Sequence, residues 1–151
     1  MLPRGSQQVR VSLAIGAQQL TSSARRVKVR RARHWSTGAA ADGRYKGGAG
    51  ARSVRLEVAG RGRQVRDFRA FVPMLCPGVS PGQFTTQIGT ATVRRARIAT
   101  DGRFVAVSTP RRDTAISLRG RLQRRTVSGG RVKLSVGSCS GSASFKAGRA
   151  G

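Results

Sequence analysis

Three observations predict an all-β domain of antiparallel strands. From about residue 42 to the end of the chain, apolar residues recur with a period of two. Turn signals containing glycine or proline separate those runs at short intervals. No window shows the i, i+3, i+4 spacing of an amphipathic helix. About eight short strands make an antiparallel meander, closed as a small barrel or packed as a two-sheet sandwich. Residues 42–151 form this domain, and residues 1–41 form a basic, largely irregular N-terminal tail and linker.

Within the tail, Val9 to Ile15 alternates only briefly, and residues 24–33 are a basic run with small apolar residues between the charges. A basic run has two readings, a solvated tail or an arm on an anionic surface, and the solvated tail is preferred. His34 has no Cys or second His nearby, so it forms no metal site, and Trp35 is expected to plug against the domain. Leu13 to Ala17 is too short and too polar for the apolar region of an export signal. No run approaches the roughly 18 apolar residues of a helical membrane span.

Along the domain, Val54, Leu56 and Val58 alternate with Arg55 and Glu57. Phe68, Ala70, Val72 and Met74 share the next face, and Val65 lies out of phase with them, which predicts a β-bulge near Asp67. Ala96 and Ile98 alternate with Arg95 and Arg97. Val105 and Val107 alternate with Phe104 and Ala106, leaving the core face open between the two pairs. Ile116, Leu118, Gly120 and Leu122 face one way; Val132, Leu134 and Val136, then Ala143, Phe145 and Ala147, repeat the pattern. Hairpin turns are expected at residues 60–62, 101–102 and 129–130, a longer loop from Cys76 to Gly82, and another loop starting at Pro110.

Composition bounds the function. The chain of 151 residues carries 30 Lys+Arg against 5 Asp+Glu, a formal charge of +25. Only four of the basic residues are Lys (Lys28, Lys46, Lys133, Lys146), and the remainder are Arg. Arg, Ala and Gly are all encoded by GC-rich codons, so genome composition is one reading of the bias and selection for a polyanion is the other. Alternate residues of a half-buried strand must be soluble, and Arg55, Arg69, Arg95, Arg97, Arg119 and Arg121 fill that place. If the surface binds polyanions, these six form the diffuse contact.

Cys76 and Cys139 each fall near a strand end, 63 positions apart. An even pair suits one disulfide in an oxidising compartment; two separate buried thiols are the alternative. No Cys-x-x-Cys is present. Asp42, Asp101 and Asp113 sit at turns, and Glu57 and Asp67 sit among arginines, where surface ion pairs are expected. No carboxylate pair, tuned His, phosphate loop or metal-ligand spacing points to catalysis, so a non-enzymatic protein without cofactor or metal is expected.

The order of motifs resembles a known type of protein. It runs Gly43-Arg44-Tyr45-Lys46-Gly47, then Gly62-Arg63-Gln64-Val65, Cys76, Asp101-Gly102-Arg103-Phe104, and Ser138-Cys139-Ser140-Gly141 with Phe145 at the close. This is similar to small secreted all-β, two-Cys proteins of high-GC actinobacteria, mostly uncharacterised, over about residues 42–147. The resemblance implies a secreted or cell-envelope domain, with anionic wall polymers or glycans as partners. It carries no catalytic residues to transfer, and the absence of a clear export signal before the domain departs from its pattern. An intracellular nucleic-acid-binding protein is the alternative reading of the charge, and a small-ligand barrel is a third.

Overall fold

A computed structural model of the chain describes residues 39–151, together with residues 7–9, 12–15, 18–21 and 25–27. The chain divides into two units, Met1–Arg33 and His34–Gly151. In the first, β1 (Gln7–Val9) pairs antiparallel with β4 (Arg25–Val27), and β2 (Ser12–Ile15) pairs with β3 (Gln18–Thr21). His34, Trp35 and most of the basic run lie outside the described residues.

The second unit is all-β. Its eight strands are β5 (Gly43–Ala49), β6 (Arg52–Ala59), β7 (Gln64–Pro77), β8 (Phe84–Arg97), β9 (Arg103–Arg111), β10 (Thr114–Gln123), β11 (Thr126–Val136) and β12 (Cys139–Arg149). They form one antiparallel sheet in the order β8-β7-β6-β5-β12-β11-β10-β9. Consecutive strands are neighbours on both halves, and the first strand, β5, pairs with the last, β12. The sequence of pairings therefore runs round an up-and-down ring. Its seam lies between β8 and β9, where a single bridge, Ile98 to Phe104, joins the two.

The predicted inward faces are the buried ones. Val54, Leu56, Val58, Phe68, Ala70, Val72, Ile116, Leu118, Leu122, Val132, Leu134 and Phe145 are all at most 3% exposed. On β9 the core takes Phe104, and Val105 and Val107 face solvent. Among the described residues no polar or charged residue is buried. Phe68 and Phe145 meet with ring centroids 5.4 Å apart. Two rings are seated on glycine across a strand pair. Phe104 lies opposite Gly120 and Phe145 opposite Gly130, and a Cβ at either glycine would come within 2.6 Å of the ring. Glycine there leaves the space that a large ring needs on a curved sheet.

Two turn expectations are corrected. Residues 129–130 form no turn; they lie within β11, where the register with both neighbours shifts, and the β10–β11 turn is at Arg124, whose φ is +54°. Pro110 starts no loop but lies inside β9, which is tolerated because β9 ends the strand order and needs no hydrogen bond on its free side. The bulge at Asp67 is present: φ there is +48°, and the β6–β7 register shifts between Arg55 and Glu57.

The sheet is pinched at one end. The β5–β6 hairpin stops at its turn over residues 50–51, and beyond it β7 and β12 meet directly, Leu75 opposite Ser140. Gly141 allows the approach, since a Cβ there would overlap the Pro73 carbonyl oxygen. The disulfide Cys76–Cys139 covalently joins the two strands at that point. At the other end, the phenol of Tyr45, the chain's only tyrosine, donates to the Ala41 carbonyl at 2.6 Å, tying the entering turn to β5. Burial pushes this phenol above its ordinary value of 10.0, against the nearby Arg149 and Arg125 guanidiniums, which pull it down.

Two outcomes are expected. Replacing both cysteines by serine releases a loop of 63 residues and costs about 4 kcal/mol on the loop-entropy model. The thermal midpoint then falls by about 15 °C or more; a fall under about 5 °C would mean that the bridge constrains little. The Tyr45 phenol, followed by ultraviolet absorbance, titrates above pH 10.0 in the folded protein. Because the unfolded phenol ionises first, this contribution to stability is complete below about pH 10 and is lost as pH rises through the folded value. Tyr45→Phe removes that alkaline loss and, at neutral pH, costs about 1 kcal/mol for the missing hydrogen bond.

Candidate functional site

The bulge in β7 decides where charge collects. In a regular strand outward residues alternate with inward ones. Here Val65 and Phe68 both point inward, so Arg66 and Asp67 are consecutive outward residues. Directly opposite on β8, Val93 and Ala96 both point inward, so Arg94 and Arg95 are also consecutive and exposed. One kink shared by two strands therefore places three guanidiniums and one carboxylate at a single spot.

Register extends this spot across the sheet. Arg44 on β5 lies opposite Glu57 on β6, Glu57 opposite Arg66 on β7, and Arg66 opposite Arg95 on β8. A second row runs from Lys46 through Arg55 and Arg69 to Thr92. Three adjoining depressions follow these rows. The first, about 310 Å³, is lined by Arg44, Lys46, Arg55, Glu57 and Asp67 among others. The second, about 460 Å³, shares Asp67 with it and adds Arg66, Arg94 and Arg95. The third, about 580 Å³, shares Arg94 and Arg95 and reaches Val107, Ser108 and Pro110 on β9, across the seam.

The groove is strongly cationic. Arg44, Lys46, Arg55, Arg66, Arg69, Arg94 and Arg95 supply seven positive charges against the two negative charges of Glu57 and Asp67. Neither carboxylate forms the surface ion pair expected from its neighbours in sequence. Among the described residues the one ion pair within 4.0 Å is Arg103 with Asp101, at 3.3 Å on the β8–β9 turn. Two arginines lean on their own strand: Arg66 donates to the Gln64 side-chain oxygen at 3.3 and 3.2 Å, and the Arg69 guanidinium sits 5.6 Å from the centre of the Phe71 ring.

The other three carboxylates serve turns, as their positions predicted. Asp42 accepts from the backbone N–H groups of Arg61 at 3.0 Å and Gly62 at 2.6 Å. Those residues and Gly60 all have positive φ, so their N–H groups converge on one anion. Asp101 accepts from the Arg103 N–H and Asp113 from the Thr114 hydroxyl.

Of the six arginines singled out from sequence, Arg55, Arg69 and Arg95 fall in the groove. Arg97 lies one row beyond, opposite Gln64. Arg119 and Arg121 are on β10, separated from β5 by β12 and β11; Arg119 opposes Arg131, and the Arg121 Nε donates to the Asp101 carbonyl. Arg44, Lys46, Arg66 and Arg94 were missed. The phase slip at Val65 signalled the bulge, but its effect on Arg94 and Arg95 follows only from the β7–β8 register. Among the described residues no group of three or more His, Cys, Asp or Glu is placed to hold a metal ion. No helix there is long and apolar enough to cross a membrane. Compared with protein-family models, curated proteins and solved structures, the chain matches none.

Like charges held directly opposite cost stability. Arg95→Glu, facing Arg66, is expected to raise the thermal midpoint by about 2 °C at low salt, and the gain is expected to vanish at about 1 M salt. A midpoint that falls in low salt would show that Arg95 already has a compensating partner.

Proposed function

We propose that this is an exported β-domain, closed by its disulfide, that holds anionic polymers of the cell envelope along the groove over β5–β8. The observation that supports this reading is the crowding of seven cations around two unpaired carboxylates along two adjacent rows across β5–β8, densest at the β7–β8 kink. Such an arrangement is unfavourable for the isolated domain and favourable once a polyanion neutralises it. The open, shallow shape suits a chain that lies across the strands. It recognises charge density, through phosphates or carboxylates, and is not a pocket for one small molecule. The disulfide is compatible with an oxidising compartment, which favours wall polymers and glycans over intracellular nucleic acid. The resemblance to small secreted two-Cys proteins points the same way. Catalysis has no part in this reading.

Binding to fluorescently labelled polyphosphate, measured by anisotropy, tests the groove. With about seven contacts engaged, affinity falls roughly a thousandfold between about 50 and 200 mM salt. Arg55→Glu with Arg69→Glu weakens binding by about tenfold or more. Arg119→Glu with Arg131→Glu, on the other half of the sheet, changes it less than about twofold. Equal losses in the two variants would replace the groove with a diffuse cationic surface. Duplex DNA run alongside sets the second ligand class: tighter binding to DNA than to polyphosphate or wall polymer at equal salt favours the nucleic-acid reading. Alkylation of Cys76 and Cys139 in separated culture medium and lysate decides the compartment.

A further inference from the structure

One segment of this highly charged chain carries no charge. Residues 70–93, 24 in all, include no Asp, Glu, Lys or Arg, and no other uncharged run in the chain is as long. They are most of the β7–β8 hairpin. Their inward side chains on β7 enter the core, as expected. Their outward ones on β7 do not become polar, and on β8 the outward Phe84 and Ile88 alternate with Thr86, Thr90 and Thr92. Pro73 lies opposite Ile88, Leu75 opposite Thr86 and Pro77 opposite Phe84, all on the outer face. Leu75, Ile88 and Phe84 are 57%, 53% and 67% exposed, and Val79 in the connecting loop is fully exposed. A contiguous apolar surface of this kind on a small soluble domain marks a contact.

The same face identifies what covers it. Arg69 and Phe71 continue the outward alternation that leads to Pro73 and Leu75, so the apolar strip and the cation rows are successive stretches of one surface. We propose that this outer face of β7 and β8 docks on an anionic lipid bilayer. Leu75, Ile88, Phe84 and Val79 enter the boundary between headgroups and acyl chains, and the groove cations beside them meet lipid phosphates. Apolar side chains flanked by basic ones are what an interfacial element needs: burial supplies the hold, and charge selects anionic lipid. A second copy of this chain would cover the apolar strip but leave the cation rows beside it without counter-charge, whereas an anionic bilayer meets both. The lipid contact uses the groove cations of the proposed function, but its apolar half is independent of that reading.

Sedimentation of the full chain with phospholipid vesicles tests the proposal. Vesicles of phosphatidylcholine with phosphatidylglycerol are expected to carry the protein down, and vesicles of phosphatidylcholine alone to leave it in solution. Leu75→Ser with Ile88→Ser weakens vesicle binding by about tenfold or more. Its polyphosphate affinity and thermal midpoint stay unchanged, since both side chains are exposed. Vesicle binding that survives this variant overturns the proposal. So does an equal loss of polyphosphate binding, which would make the strip part of the polymer site. A lipid-free dimer that the variant dissociates, seen by sedimentation velocity, would assign the strip to a second copy. Failure of the groove reading shows separately, as polyphosphate binding indifferent to Arg55 and Arg69 while vesicle binding still needs Leu75 and Ile88.

Discussion

The direct contact between β7 and β12, locked by Cys76–Cys139, is the constraint on which the other features depend. An eight-stranded sheet of this length needs its two halves held together, and the β8–β9 seam contributes only one bridge. The ring therefore relies on the β5–β12 pairing and on the closure next to it. That closure exists because the β5–β6 hairpin is short and Gly141 lets two backbones meet. It lets β7 run 14 residues, first beside β6 and then beside β12. The first half of β7 carries the charged kink, and the second half, with its partner β8, carries the apolar strip.

Magnitudes explain how such a surface is tolerated. Each pair of like charges facing across strands costs a few tenths of a kcal/mol to about 1 kcal/mol. Arg66 with Arg95, Arg55 with Lys46 and Arg55 with Arg69 are three such pairs. Their sum is smaller than the roughly 4 kcal/mol of the disulfide. The core adds to that margin with few but large side chains, Tyr45, Phe68, Phe104 and Phe145, two of them seated on glycines. A domain whose repulsion is exposed and whose cohesion is covalent or buried can keep a groove that a weaker scaffold would lose.

Charge is segregated along β7 and β8 instead of being mixed. Arg66, Asp67, Arg69, Arg94 and Arg95 stand at the kink, and the next 24 residues of the hairpin between Arg69 and Arg94 have none. Because the hairpin folds back on itself, the two ends of this uncharged run meet, and the chain's sharpest change in charge becomes a boundary on one face of the sheet. Electrostatic attraction and apolar burial are then available side by side, which suits a large anionic surface better than a small ligand.

Much of this was legible in the chain itself. Alternation showed the inward face of β6, β7, β10, β11 and β12, and the out-of-phase Val65 showed the bulge, because a half-buried strand must repeat every two residues. The even pair of cysteines at strand ends indicated the bridge. Less visible were β5, which has one large core residue, Tyr45, between the outward Arg44 and Lys46, and the first half of β8, which is exposed on both sides and so has no period. The Arg124 turn lacks a glycine, and the glycines at 129–130 mark a bulge. Local sequence determined which way side chains point wherever apolar and polar residues alternate cleanly, while on β9, where both faces carry apolar residues, the fold chose Phe104 for the core. Which arginines stand together, and that they adjoin an apolar strip, was decided only by strand register in the folded sheet, because residues such as Arg66 and Arg95 are neighbours across paired strands and not along the chain.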